Sequence, residues 1–186
     1  TESAINSALE DLTYTPNAGY NGSDNLVVTT ALNADLEGYY TFEGGNADDQ
    51  SASTADNGTL VGNATTTVDG TRGEVLSLDG SGDYVDVAGM YGSPANLTLA
   101  AWVNLTAADT NGAEVISLGD NVALRLDTVS VGSGVQAFFR DGTGWEYTNS
   151  SQYIAGTGWH HVAYTFDDTA NVQRLYIDGV VVATSN

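Results

Sequence analysis

Two histidines stand side by side in the stretch GWHHVAYTFDD, the first arrangement to test for catalysis or metal binding. The residues from Trp159 to Phe166 are rich in aromatic and β-branched types, so this segment is read as extended. Consecutive side chains of a strand leave opposite faces. His160 then shares a face with Val162, Tyr164 and Phe166, and His161 with Trp159, Ala163 and Thr165. Imidazoles that point apart can neither chelate one ion nor share one proton. A His-Glu-x-x-His zinc site needs a helix and a glutamate, and the segment supplies neither. The pair is therefore strand, not site.

Carboxylates are the next candidates. Glycoside hydrolysis uses two acids roughly 5 to 9.5 Å apart across one cleft, which on a strand means alternate positions. The chain has no Glu-x-Asp-x-Glu pattern. Asp83 and Asp86 are three apart and fall on opposite faces, Asp167-Asp168 reads as the turn ending a strand, and no Gly-x-Ser-x-Gly elbow occurs. Zero cysteines exclude disulfides, zinc–thiolate sites and thiol catalysis. The chain is expected not to be an enzyme.

Oxygen ligands for calcium are plentiful. DGSGDYVD begins like an EF-hand loop at Asp79, Ser81 and Asp83, but Tyr84 stands where the sixth-position glycine belongs and Met90 where the twelfth-position glutamate belongs. FEGGNADDQS offers Glu43, Asn46, Asp48 and Asp49 on a glycine-loosened loop, and a polar turn explains the same residues. A different chemistry gathers further on. Phe138, Arg140, Trp145 and Tyr147 surround one expected hairpin, with Arg125 on a nearby strand. Aromatic faces stack on sugar rings and guanidinium groups grip carboxylates. Arg125, Arg140, Trp145 and Tyr147 are the candidate ligand-binding residues, although strand packing alone would also produce them.

The elements that must position these groups are strands. Short runs of Val, Leu, Thr and Tyr alternate with turn clusters of Gly, Asp and Asn. Strands are expected at Glu37–Phe42, Val75–Leu78, Tyr84–Val87, Leu97–Leu105, Glu114–Leu118, Val122–Leu126, Val135–Arg140, Trp145–Thr148, Trp159–Phe166, Arg174–Ile177 and Val180–Thr184. Asp178-Gly179 is a two-residue hairpin signal, and Asp141-Gly142 a second. The fold class is all-β, two packed antiparallel sheets, with Trp102, Val162, Tyr164 and Phe166 expected in the core.

The charge narrows the partners. Four Lys+Arg against 24 Asp+Glu give a net −20 over 186 residues, and every cation is an arginine. Such a field repels phosphate backbones and anionic bilayers, so neither nucleic acid nor membrane insertion is expected. A solvated acidic surface, salt tolerance and calcium capture all remain compatible with it. The chain opens at Thr1 without a leader pattern, as an internal piece of a longer protein would. Residues 1–33 read as the end of a separate repeat plus a linker, and residues 34–186 as the main domain.

GYYTFEGG, DDQS, DNGTLVG, VLSLDGSGDYVDV, LTLAAWVNL, EVISLGD and GWHHVAYTFDD followed by RLYIDGVVVA succeed one another in an order that resembles the laminin-G-like jelly roll of the concanavalin A-like lectin/glucanase superfamily. The resemblance runs from Glu37 to the end and implies a two-sheet jelly roll in which Trp-His-His is a structural signature. The family continues beyond GVVVATSN to a closing strand with an acidic residue, so the jelly roll here is expected to lack that strand. The resemblance also implies a weak calcium site in which Glu43 and Asp49 meet the carbonyls of Gly80 or Gly82 and the carboxylate of Asp83. LTYTPNAGYNGSDNLVVT is similar to the last strands of a bacterial cadherin-like or immunoglobulin-like repeat of a surface stalk. The implied function is a non-catalytic module, extracellular or on the cell surface, that binds a glycan or a cell-surface protein in adhesion, beside other domains of the same long chain. The alternatives are an accessory module of a secreted polysaccharide-degrading enzyme and a structural spacer.

Overall fold

A computed structural model describes residues 36–51, 56–89, 94–119 and 121–186, all within one unit, Asn33–Asn186. The expected repeat fragment before residue 34 lies outside the described residues.

Twelve strands run in chain order: β1 (Gly58–Val61), β2 (Thr65–Asp69), β3 (Gly73–Ser77), β4 (Tyr84–Val87), β5 (Asn96–Val103), β6 (Ala113–Leu118), β7 (Val122–Leu126), β8 (Gln136–Arg140), β9 (Trp145–Asn149), β10 (His160–Asp167), β11 (Val172–Ile177) and β12 (Val180–Ser185). Among the described residues the helical content is one 3₁₀ turn, Val129–Val131. The first sheet has the order β12-β11-β10-β5 and the second β6-β7-β8-β9, and every pairing is antiparallel. Two further ladders, β1-β4 and β2-β3, complete the all-β sandwich.

Alternation decides what the sheets bury. Val162 and Tyr164 of β10, Leu99 of β5 and Leu175 and Ile177 of β11 face Leu124 and Leu126 of β7 and Ala137 of β8 in one core. Phe166 packs against it and meets Phe139 at 4.9 Å. A buried polar bridge ties the sheets: Tyr164 Oη and Thr148 Oγ1 both donate to Gln173 Oε1, at 2.7 and 3.1 Å. A hydroxyl buried in such a place is costly without a partner, so these bonds also fix how the sheets register. Burial pushes the Tyr164 hydroxyl pKa up.

The turns follow their chemistry. Asp178 and Gly179 take φ of 50° and 78°, the paired positive values a two-residue hairpin requires. The β8–β9 turn is four residues rather than two, with Asp141 accepting from the amides of Thr143 and Gly144.

Two expectations are corrected. Residues Glu37–Phe42 form no strand: one bridge, Tyr40 to Asp49, is all the pairing there, and Phe42 turns at φ 63°. Trp102 is not in the core but half-exposed, because it lies directly opposite His161 on the outer face of the first sheet.

Candidate functional site

The histidines are occupied as structure. His160 Nδ1 lies 2.7 Å from Asp178 Oδ2 and its Nε2 lies 2.8 Å from Thr157 Oγ1. The His161 amide donates to the other Asp178 oxygen at 2.9 Å. These bonds clamp the β11–β12 turn to β10 and, led by the imidazole bond, hold the Asp178 carboxyl below its ordinary pKa. On the outer face the His161 ring meets Trp102 edge-on at 5.3 Å, and the Arg72 guanidinium lies 3.4 Å from the Trp102 ring centre. Trp159 Nε1 donates to Asp69 at 3.0 Å across 90 positions of sequence. The β2–β3 turn is thereby fastened onto the first sheet.

The five expected calcium ligands do not form one group. Glu43 lies beside Gly73 at the turn end of β3, where it accepts from the Glu74 amide, and Glu74 in return accepts from the amides of Gly44 and Gly45. The glycine pair aims its N–H groups at a carboxylate. Asp83 lies at the other end of β3, which spans about 13 Å at strand rise, and accepts from the amides of Asn63 and Asp79. Asp49 accepts from the amides of Tyr39 and Ser51, and its own amide donates to the Asn57 side-chain oxygen, next to the β1 end far from Asp83. Burial opposes ionisation of Asp49, but the bonds from Tyr39, Ser51 and Asp56 outweigh it and lower its pKa. Gly80 and Gly82, at φ 83° and 80°, share a loop with Asp83 alone of the other three. Among the described residues no group of three or more acid or histidine side chains is gathered for a metal. As a set these residues do not fit one ion.

The ligand-binding candidates do come together. Residues directly opposite across a ladder share a face, and the β8–β9 register pairs Phe138 with Tyr147 and Arg140 with Trp145. On the adjoining strand, Ala123 pairs with Phe138 and Arg125 with Gln136, so Arg125 joins the same outer face. Arg125, Trp145 and Tyr147 line one cavity of about 290 Å³ with Phe138, Glu114, Ser117 and Gly119. Arg140 flanks it, with its guanidinium 5.5 Å from the Trp145 ring centre.

Each member is positioned by its neighbours. Phe138, 8% exposed, is the floor: Trp145 stands edge-on to it at 5.2 Å, Tyr147 tilts against it at 5.8 Å, and the Arg125 guanidinium lies over it at 4.6 Å. Trp145 and Tyr147 remain 36% and 48% exposed. Arg125 donates from Nη2 to Glu114 Oε1 at 2.6 Å, while its Nε is buried without a partner. Gly112 makes room for the arginine stem, because a Cβ there would stand 2.5 Å from Arg125 Cδ. Asp127 lies just beyond β7; fully buried, it accepts from the amides of Ile154 and Ala155 and anchors that end of the strand. Phe138, Glu114 and Ser117 were not in the expected set. Alternation places Phe138 with Arg140, whereas Glu114 reaches the face across a register shift in the β6–β7 ladder.

The arrangement offers partly exposed aromatic rings, guanidinium donors and a carboxylate around an open hollow, which is recognition chemistry. A family model of the laminin G type, described as the concanavalin A-like lectin/glucanases superfamily, matches residues 79–186. The match begins at Asp79, later than the Glu37 that the motif order implied. No curated protein and no solved structure matches the chain. With its two-sheet antiparallel sandwich and over half of its length matched, the chain belongs to the concanavalin A-like lectin/glucanase superfamily.

Proposed function

We propose that this chain is a non-catalytic, lectin-like binding module of an extracellular or cell-surface protein, and that it takes a glycan on the outer face of β7, β8 and β9. The observation that carries this reading is the convergence of Arg125, Trp145 and Tyr147 on one open cavity floored by Phe138. Sugar rings are apolar on their faces and polar at their edges. Aromatic side chains answer the first property and guanidinium donors the second. Sites of this kind combine a few placed polar groups with an apolar lining.

The chemistry of the lining favours binding over hydrolysis. Glycosidases of the usual type work with two carboxylates around the scissile bond. Among the described residues lining this cavity, Glu114 is the one acid, and it is held by Arg125. No helix of the described residues is long and apolar enough to cross a membrane. The same site would serve adhesion directly, or would bring a linked polysaccharide-degrading domain to its substrate.

The test is a survey of immobilised glycans and soluble polysaccharides with the wild-type chain and with Trp145→Ala and Tyr147→Ala. Binding of at least one glycan, lost in both variants while their melting temperatures stay near wild type, supports the reading. Glycan binding that both variants retain would place the site elsewhere, and binding to no glycan at all would remove the lectin-like function.

A further inference from the structure

We infer that the sugar taken by this face carries a carboxylate, so that the ligand is a uronic acid residue of an acidic polysaccharide. The inference rests on the proposed glycan site and narrows its substrate class. Four arginines are the whole cationic complement of a chain with 24 acids. Two of them, Arg125 and Arg140, stand on neighbouring strands of one outer face, on either side of the Phe138–Trp145 ring pair. A surface kept acidic for solvation has no reason to place half its cations around one hollow. A neutral sugar needs no cation either, because amide and hydroxyl groups suffice for its hydroxyls.

The two arginines differ in how they are held. Arg125 is paired with Glu114 at 2.6 Å. Arg140 makes no ion pair among the described residues, and its nearest acid in sequence, Asp141, is engaged elsewhere. Asp141 spends its carboxylate on the Thr143 hydroxyl and the amides of Thr143 and Gly144. These bonds, the Thr143 hydroxyl first, lower the Asp141 pKa and keep it charged but locally engaged. Arg140 is thus a guanidinium beside an aromatic ring with its donors uncommitted among the described residues, which suits bidentate capture of a carboxylate. Glu114 plays the complementary part. It occupies Arg125 as a ligand carboxylate would, so it acts as an internal competitor that an incoming uronate displaces. The cavity of about 290 Å³ is at the small end for ligand pockets, which suits one sugar ring of a chain lying across the face.

The net charge of −20 opposes an anionic ligand at long range. At 0.15 M salt that field is screened beyond about 8 Å, whereas a contact pair in a half-covered hollow is screened far less. Binding should therefore be measured at that ionic strength.

The probes are oligosaccharides of galacturonate, mannuronate, guluronate and glucuronate, each compared with its methyl ester, which removes the charge and keeps the ring. We expect at least one acid to bind roughly tenfold or more tightly than its ester, and Arg140→Gln to abolish that difference. Glu114→Gln, which releases Arg125, should widen the preference for the acid over its ester by about two- to fivefold, the worth of an exposed ion pair. Arg174→Gln makes the same charge change as Arg140→Gln, but on β11 of the other sheet, and should alter binding of neither acid nor ester. Equal binding of acids and esters, or binding confined to neutral glycans and sensitive to Trp145→Ala, would overturn the carboxylate inference and leave the glycan site standing. Failure of every acid, ester and neutral glycan to bind would overturn both.

Discussion

The two outer faces of this sandwich carry nearly the same residue types and use them in opposite ways. On the first sheet Arg72 lies over Trp102, and Trp159 bonds Asp69, so each contact links the β2–β3 turn to strands 30 or more positions away. On the second sheet Arg125, Phe138, Arg140, Trp145 and Tyr147 all come from adjacent strands of a single sheet. The first cluster joins separate pieces of the fold. The second joins nothing that the strand ladders do not already hold, and it surrounds a hollow. Arginine and tryptophan together therefore do not define a function. What separates a clamp from a binding site is whether the contacts cross between elements or face outward from one.

Substitutions in the two clusters should separate stability from affinity. The largest effect is expected at Trp145→Ala. Loss of a central aromatic anchor costs about 2 kcal/mol of binding, roughly thirtyfold in Kd, while the melting temperature changes little. A variant that instead unfolds several degrees earlier with its affinity intact would put Trp145 in the structural class. Arg72→Ala is the mirror image. Losing the contact over Trp102 should lower the melting temperature by roughly 3 to 6 °C and leave glycan affinity unchanged.

A third comparison uses pH. Bonds from the Thr71 hydroxyl, the Thr71 amide and then the Trp159 indole depress the Asp69 pKa from 3.8 to about 2. A folded-state pKa below the unfolded one gives stability that is complete above the unfolded value and is lost as pH falls through the folded one. Trp159→Phe should therefore be less stable than wild type at pH 7, and the two should converge between pH 3.8 and about 2 in urea titrations. A stability difference that stays constant across that window would detach Trp159 from Asp69. The smallest effect belongs to His161→Gln, which gives up an edge contact worth under about 1 kcal/mol and should leave affinity within a few-fold.

Much of this was legible one strand at a time. Tyr84–Val87 and Val122–Leu126 have the expected bounds because alternation and flanking turn residues agree there. β1 and β2 escaped notice because GTLV is short and TTTVD is threonine-rich and largely exposed, so neither shows an apolar face. Trp102 is expected in the core because it lies on an apolar strand, although its parity, opposite to that of Leu97, Leu99 and Ala101, assigns it to the other face. The proposed ligand face was readable because its members are neighbours on consecutive strands of one sheet. The Arg72–Trp102 and Asp69–Trp159 contacts were not, since nothing local links residues so far apart. The acids were misleading for a physical reason. Composition counts carboxylates, but Asp49, Asp69, Asp79, Asp83 and Asp141 accept hydrogen bonds from nearby backbone amides, and many of these close turns.

The three tryptophans allow one measurement to judge the central claim. Each contributes one indole N–H signal to a ¹⁵N–¹H correlation spectrum, and Trp102 and Trp159 belong to the clamp while Trp145 belongs to the proposed site. Titration with a bound glycan, a uronate oligosaccharide first, should move the Trp145 signal progressively and leave those of Trp102 and Trp159 in place. Movement of the Trp102 and Trp159 signals with Trp145 unchanged would contradict the assignment and make the first sheet the binding face.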